Sequence, residues 1–288
     1  MRLASVARLR CPCCLRDGVE AAFEPDPTRL GGREDGGTAG ELLEAFLVCA
    51  RCRAARPLLA GVAVVVADLA AHLRDHGNVY RRAPIGDPRV TRFVLRDAGT
   101  GGDVVPFAEV VARYGDLLPP ADDVPPAGPD PWDRDLDAAL VAHGARGPAL
   151  EVGCGVGRGV FVLAARTGDA TGADRSVARV RRARNVKTAD EFRLPRQPGA
   201  RVETPIDLAR LVRAPVDLVV ADPVPLPFAS GTFATVVLRR GDGDGPFPDL
   251  DAARREARRV VARDGLLLVE REGADGVRLE RLPTGGRP

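Results

Sequence analysis

The chain has 288 residues, of which 45% are hydrophobic and 28% are charged, enough for one α/β domain with a smaller appended segment. Its 42 Lys and Arg residues nearly balance its 40 Asp and Glu residues, so the net charge does not indicate a nucleic-acid partner, although it leaves one open. No apolar run approaches the roughly 18 residues of a membrane-spanning helix, and Met1–Arg10 lacks the apolar core of a signal peptide. We therefore expect a cytoplasmic protein without a membrane span.

Two Cys-x-x-Cys pairs near the start of the chain are typical of a metal site. Cys11 and Cys14 form the first pair, Cys49 and Cys52 the second, and 34 residues separate them. Four thiolates on two tight turns can enclose one tetrahedral Zn²⁺ ion and leave no open position for water, so we expect a structural zinc site. The alternative interpretation is four unrelated buried cysteines, and Cys13 is a spare thiol that could replace a neighbour.

The residues after the second pair extend this pattern. Pro57 and Gly61 follow it, each within an apolar stretch. Residues 1–68 resemble the Trm112-like zinc-ribbon family, in which the cysteine pairs precede a Tyr-Pro-Ile and Gly-Ile-Pro-Val-Leu strand pair. Arg56 replaces the tyrosine, and Ala63 replaces the second proline. The resemblance implies a small N-terminal zinc-ribbon domain, and members of this family activate or accompany methyltransferases.

Residues 69–131 form a second segment without an evident chemical motif. We expect helical pieces and then a linker, because six of the thirteen residues 119–131 are proline. His72 and His76 lie on one face of a predicted helix, a spacing that can bind a metal. Zinc-protease motifs also have a glutamate directly after the first histidine, and Leu73 stands there, so we favour a solvent-exposed helix face.

A glycine-rich loop lies in the third segment, residues 132–288. A predicted apolar strand at Ala149–Val152 contains Glu151 and runs into this loop, and an apolar helix follows. The loop glycines are Gly153, Gly155 and Gly157. Glycine lets the backbone turn tightly and approach a ligand closely. The spacing is E-x-G-x-G-x-G, and the third glycine of the dinucleotide-binding G-x-G-x-x-G motif is out of register.

Strands and helices alternate along the rest of this segment. Further strands are predicted at residues 170–174, 217–221 and 233–238, and residues 251–270 are predicted to form a helix followed by the last strand. This order predicts a parallel α/β sheet with helices on both faces. Asp174 ends the second strand and Asp222 follows the third, and carboxylates at neighbouring strand ends can line one ligand crevice. Taken singly, Asp174 could instead cap a helix, and Asp222 could be a turn residue.

A basic run lies between two of these strands. Residues 175–187 carry six Arg or Lys side chains and no acid, a composition that could bind phosphates. Arginine is frequent throughout the chain, so we favour a solvated helix face.

Together these motifs resemble those of class I S-adenosylmethionine-dependent methyltransferases of the type 11 group, over residues 132–270. The resemblance implies a Rossmann-like sheet and S-adenosyl-L-methionine as the cofactor. Glu151 would lie near the amino group of the cofactor, with the three loop glycines beneath its sugar and amino-acid portion. Asp174 would accept the ribose hydroxyls. Asp222, which begins the family's Asp-x-x-x-Leu-Pro-Phe stretch, would receive the adenine amino group.

Three departures from the family favour a second hypothesis, a non-catalytic scaffold or binding protein with a degenerate methyltransferase fold. Ala234 replaces an aspartate, an Arg- and Gly-rich stretch at residues 239–245 replaces the loop that faces the methyl acceptor, and only 18 residues follow Glu270. Residues 277–282 alternate like a single edge strand. The three retained acids favour the enzyme. The sequence identifies neither a catalytic base nor the acceptor, for which a small metabolite, a quinone precursor, a tRNA and a protein side chain all stay open.

Overall fold

The computed structural model describes residues 1–30, 41–102, 104–105, 107–119, 131–189, 192–195, 203–206, 211, 214–239, 249–273 and 276–284. Most of the proline-rich linker and most of the Arg- and Gly-rich stretch after residue 239 lie outside these ranges. Within them, no helix combines the length and the apolar character that crossing a membrane requires.

Short strands and helices precede a regular alternation of strand and helix. The strands are β1 (Phe23–Leu30), β2 (Leu42–Cys49), β3 (Ala55–Leu59), β4 (Val62–Val64), β5 (Ala149–Val152), β6 (Ala170–Asp174), β7 (Phe192–Pro195), β8 (Glu203–Ile206), β9 (Val216–Val220), β10 (Phe233–Leu238), β11 (Val261–Gly273) and β12 (Gly276–Leu282). The helices are α1 (Leu3–Val6), α2 (Pro12–Arg16), α3 (Leu69–Asp75), α4 (Gly77–Arg81), α5 (Pro88–Arg96), α6 (Phe107–Tyr114), α7 (Pro131–Ala142), α8 (Arg158–Thr167), α9 (Val177–Thr188) and α10 (Leu250–Val260), with a 3-10 helix at Gly115–Leu117.

Ten of the strands form one mixed sheet in the order β1-β2-β3-β4-β9-β6-β5-β10-β11-β12. Neighbours from β4 through β11 in this order pair in parallel, whereas β1 to β4 pair antiparallel among themselves and β12 pairs antiparallel with β11. Strands β7 and β8 form a separate two-stranded antiparallel sheet. The edge strand predicted at residues 277–282 is confirmed as β12.

Both faces of the sheet are covered by helices. Successive residues of the buried central strands point to opposite sides, so each strand contributes side chains to two cores. On one face, Leu218 and Val220 belong to an apolar core that includes residues of α3 to α9. On the other face, Val219 and Val236 pack in a core with residues of α1, α2 and α10. The predicted parallel sheet with helices on both faces is therefore confirmed.

The N-terminal strands continue the sheet of the third segment, since β4 pairs in parallel with β9. Near the start of β9, the buried Asp217 carboxylate accepts hydrogen bonds from Arg2 and Ser5. The sheet thus runs across the predicted boundary at residue 68, while the division into segments 1–68, 69–131 and 132–288 stays a prediction. Because β4 and β9 run in the same direction, α3 begins at the edge of the sheet where Asp222 lies.

Candidate active site and cysteine cluster

The glycine loop passes from β5 to α8 in a conformation that side chains would obstruct. Gly153, Gly155 and Gly157 have φ angles of 79°, 53° and 92°, in the left-handed region that favours glycine. A Cβ atom on Gly157 would lie 2.5 Å from the Cβ of Ala183 in α9, which is closer than two non-bonded carbon atoms can approach. The loop therefore presents bare backbone at the carboxyl edge of the sheet.

Glu151 lies in β5, just before this loop, and its side chain is fully buried. Neither of its carboxylate oxygens has a hydrogen-bond partner among the described residues. The guanidinium of Arg239 lies 3.8 Å from Glu151 and also 3.8 Å from Glu270. Burial raises the pKa of Glu151 to about 8, although the positive charge of Arg239 opposes the shift. A buried carboxyl group without hydrogen bonds is suited to receive a ligand cation.

Asp174 ends β6 and contacts the glycine loop directly. Its carboxylate accepts hydrogen bonds of 2.8 Å from the backbone amides of Gly155 and Ser176. Burial raises the pKa of Asp174, although these two amide donors oppose the shift. Ser176 is itself the N-cap of α9, because its side chain accepts a hydrogen bond from the amide of Arg179. The alternative interpretation of Asp174 as the helix cap is therefore wrong.

Asp222 follows β9 and holds the N-terminal segment. Its Oδ2 accepts a hydrogen bond of 3.0 Å from the backbone amide of Ala67, and its Oδ1 lies 3.8 Å from Nε of Arg175. Since β5, β6 and β9 are parallel neighbours, Glu151, Asp174 and Asp222 reach the same edge of the sheet. The structure thus places the three acids that the sequence singled out at one edge of the sheet.

A cavity of about 420 Å³ opens beside Asp222. Its lining includes Arg175, Asp222, the N-terminal end of α10, Arg16 of α2 and His72 of α3. Sequence reasoning did not place the N-terminal segment at this site, because the pairing of β4 with β9 is what brings it there. The volume is in the range of small-molecule sites.

The expectation that His72 lies on a solvent-exposed helix face is wrong. His72 is buried rather than solvent-exposed, and its Nε2 lies 2.8 Å from the hydroxyl of Tyr80. Burial lowers the pKa of His72 to about 3, assisted by the neighbouring charges of His76 and Arg175, so its imidazole is neutral at physiological pH. A group with so low a pKa is a weak base, and we assign His72 no role in proton abstraction.

The segment 107–117 covers the glycine loop, although its sequence shows no motif. The Tyr114 hydroxyl donates a hydrogen bond of 2.7 Å to the backbone carbonyl of Val156, within the loop. Oε1 of Glu109 lies 3.4 Å from the position that a Cβ on Gly155 would take, and the Glu109 carboxylate accepts a hydrogen bond from Arg179. These contacts shield the loop from solvent on that side.

The expectation that the basic run on α9 forms a solvated helix face is also wrong, because several of its side chains contact the N-terminal segment instead of water. The ammonium of Lys187 lies 2.7 Å from the Glu41 carboxylate. The guanidinium of Arg184 is buried and donates to the carbonyl of Ala60. These contacts hold α9 against the N-terminal strands. They also engage cationic side chains that would otherwise be available to bind a phosphate.

The two cysteine pairs meet in one cluster. The Sγ atoms of Cys11, Cys14, Cys49 and Cys52 all lie within 4.8 Å of one another, and the Cys11–Cys52 and Cys14–Cys49 distances are both 3.7 Å. Tetrahedral Zn²⁺ with Zn–S bonds of about 2.3 Å separates its sulfur ligands by roughly 3.8 Å, so the cluster has the dimensions of a zinc site. The spare thiol of Cys13 points elsewhere, 3.8 Å from the carbonyl of Ala67.

Backbone amides also favour a thiolate within the cluster. The N–H groups of Arg51 and Cys52 each lie 3.4 Å from Sγ of Cys49. Burial alone would raise the pKa of Cys49, but these amide donors and the neighbouring thiols of Cys52 and Cys11 together outweigh it and lower the pKa to about 7. Amide donors directed at sulfur suit a ligand that must be deprotonated to bind a metal.

Comparison with solved structures returned distant similarities. The YcgJ protein of Bacillus subtilis is 18% identical, with 49% of this chain and 51% of that chain covered and a TM-score of 0.37. The PH0226 protein of Pyrococcus horikoshii is 21% identical, with coverages of 58% and 63% and a TM-score of 0.39. A Methanococcus maripaludis protein provisionally assigned as an S-adenosyl-L-methionine-dependent methyltransferase is 17% identical, with coverages of 48% and 54% and a TM-score of 0.36.

The chain spans about half the length of the first of these solved structures. Comparison with curated proteins returned no match. Residues 150–269 match a family model described as a methyltransferase domain. The matched range begins in β5, ends in β11, and contains the glycine loop, Asp174 and Asp222. Over these residues the chain is therefore similar to that methyltransferase domain.

Proposed function

We propose that the protein is an S-adenosyl-L-methionine-dependent methyltransferase with a structural zinc site in its N-terminal segment. The observation that carries this proposal is the environment of Glu151. Its carboxyl group is fully buried, lacks a hydrogen-bond partner among the described residues, and lies two residues before Gly153, the first of three glycines with positive φ. Such a group is costly to bury, and a cation on a bound ligand would satisfy it.

The described residues fit the cofactor that the family implies. Glu151 would receive its ammonium group, and the backbone of the glycine loop would lie against its sugar and amino-acid portion. Asp174 already accepts two amide hydrogen bonds. A carboxylate has about four lone-pair positions, so Asp174 can also accept ribose hydroxyls. Asp222 would receive the adenine amino group from the side of the cavity.

When bound, the cofactor supplies an electrophilic methyl group, so the protein needs chiefly to orient an acceptor and exclude water. Segment 107–117 supports the second task, since Tyr114 and Glu109 lie over the glycine loop. We assign no catalytic base.

The four-cysteine cluster would hold Zn²⁺ as a structural ion. Cys11 and Cys14 belong to the turn at the start of α2, whereas Cys49 and Cys52 belong to the turn between β2 and β3. A metal would join these two turns and leave no coordination position open. We propose that this segment is a built-in counterpart of the Trm112-like activators, which the positions of Pro57 and Gly61 support.

Titration calorimetry with S-adenosylhomocysteine tests the proposal and separates it from the scaffold hypothesis. We expect a dissociation constant in the micromolar range, with one site per chain. No heat at millimolar ligand would favour the non-catalytic alternative. Screening cell extracts for methyl incorporation from labelled cofactor would then identify the acceptor.

A further inference from the structure

Arg56 is a buried cation in β3 whose guanidinium makes several directed contacts. Its side chain is only 5% exposed. Nε donates to the carbonyl of Val66 at 3.0 Å, and Nη2 donates to the carbonyl of Ala67 at 3.2 Å. Nη2 also lies 3.1 Å from Sγ of Cys13, in the turn that contributes two cysteines of the cluster. Burying a guanidinium is costly, so these hydrogen bonds are needed to offset its desolvation.

The backbone that Arg56 holds also contacts the candidate cofactor site. Ala67 accepts from Arg56 through its carbonyl and donates to Oδ2 of Asp222 through its amide. Two residues earlier, the amide of Val65 donates to the carbonyl of Val220, which fixes the start of the same stretch against β9. A continuous set of hydrogen bonds therefore leads from the cysteine turn through Arg56 and Ala67 to Asp222.

The stretch held in this way forms part of the cavity wall. Val66 and Asp68, on either side of Ala67, both line the cavity beside Asp222. A small shift of this stretch would change the orientation of the Asp222 carboxylate and the width of the cavity together. The residue type at position 56 matters for this purpose, because the Arg fork can hold two adjacent carbonyls at once.

We propose that Arg56 is a positioning residue for cofactor binding: it fixes the Val66–Ala67 backbone, and the Ala67 amide in turn orients Asp222. The inference rests on the proposed function, since Asp222 must contact the cofactor for its orientation to affect affinity. It also assigns the N-terminal segment a direct contribution to the methyltransferase site, through one side chain that departs from the Trm112-like pattern.

A double-mutant cycle tests the proposal with S-adenosylhomocysteine affinity as the readout. We expect Arg56→Met to weaken binding by ~10-fold, about the effect of losing one hydrogen bond to a charged group. In an Asp222→Ala background, the same change should alter affinity by less than ~2-fold, because its target is gone. In an Asp174→Asn background, Arg56→Met should still weaken binding by the full ~10-fold. Arg56→Lys should restore part of the affinity, since its ammonium can reach one carbonyl.

Hydrogen exchange on the ligand-free protein provides a second readout. Arg56→Met should speed exchange at the Ala67 amide and leave the Ser176 amide, which Asp174 holds, unchanged. If Arg56→Met does not fold, Arg56→Lys is compared in the same cycle.

Equal loss of affinity in the wild-type and Asp222→Ala backgrounds would show that Arg56 acts only through general stability. Unchanged affinity in Arg56→Met would overturn the proposal as well. A wild-type protein that does not bind S-adenosylhomocysteine would instead remove the proposed function, and this inference with it.

Discussion

The guanidinium of Arg239 lies 3.8 Å from the carboxyl group of Glu151, and both side chains are buried at the carboxyl ends of neighbouring strands. Arg239 is the first residue of the Arg- and Gly-rich stretch at which the sequence departs from the methyltransferase pattern that it resembles. At 3.8 Å the pair has Coulomb attraction but no hydrogen bond, and the pKa of Glu151 still rises to about 8. Desolvation therefore outweighs the ion pair at this position.

Cofactor affinity should consequently depend on pH through Glu151. Only the ionised carboxylate can pair with the ligand's ammonium group. With a pKa of about 8, calorimetry should show S-adenosylhomocysteine affinity rising about 50-fold from pH 6 to pH 8. Glu151→Gln should bind more weakly at pH 8 and lose most of this dependence. The exposed Glu24 offers a matched control, because Glu24→Gln should keep the wild-type profile. A flat profile in the wild type would contradict the assignment.

The same group predicts how the stability of the ligand-free protein varies with pH. The folded-state pKa of Glu151 is above its ordinary value of 4.5, so the folded protein retains a proton that the unfolded chain releases. This contribution to the free energy of unfolding is present below pH 4.5 and is lost as pH rises to about 8. Denaturant titrations should show a smaller decline over this range in Glu151→Gln than in the wild type. An identical decline in both proteins would show that Glu151 does not titrate in this way.

Asp174→Ala should weaken S-adenosylhomocysteine binding by about 10- to 100-fold, because it removes an acceptor for ribose hydroxyls and releases the Gly155 amide. The fold should persist, since the change affects one edge of the sheet. Ser176→Ala is the control: it removes the cap of α9 and should cost about 1 kcal/mol of stability while leaving affinity nearly unchanged. Equal affinities of Asp174→Ala and the wild type in calorimetry would remove Asp174 from the site.

Alanine substitutions at two glycines with similar φ angles distinguish the cost of backbone strain from the cost of a steric clash. Gly157 and Gly168 have φ of 92° and 77°, but only at Gly157 would a Cβ meet another atom, the Cβ of Ala183 at 2.5 Å. Gly168→Ala should therefore cost about 1 kcal/mol from backbone strain alone. Gly157→Ala should cost about 2 kcal/mol more and also weaken cofactor binding. Thermal unfolding and calorimetry of the two variants measure both effects, and equal losses would contradict the packing argument.

The sequence predicted the central strands and the position of the site because both depend on local patterns. Apolar runs of four to six residues marked β5, β6 and β10, and β5 and β6 ended at or next to a glycine or an acid. In a parallel sheet, strand ends meet at one edge, so the proximity of Glu151, Asp174 and Asp222 followed from topology.

Contacts between distant parts of the chain were not predictable in the same way. The pairing of β4 with β9 joins residues more than 150 positions apart, and nothing in either short apolar run specifies the partner. His72 is buried and Arg16 lines the cavity beside Asp222, and the local sequence around either residue does not specify these positions. The charges on α9 were misjudged for the same reason, since Glu41 and Ala60 lie far away in sequence. An isolated acid such as Glu41 at the start of an apolar strand is the one signal that could have indicated a buried ion pair.

Elemental analysis of the purified protein should find one zinc ion per chain. The Cys49→Ser, Cys52→Ser double variant should lose it, because two of the four sulfur ligands and the amide-supported Cys49 thiolate are removed together. Cys13→Ala should retain one zinc, since the Cys13 sulfur lies near Ala67 and Arg56 rather than in the cluster. The double variant should also unfold at a lower temperature, because metal binding contributes to folding free energy wherever the site exists only in the folded state. Full zinc content in the double variant would show that these cysteines do not form the site.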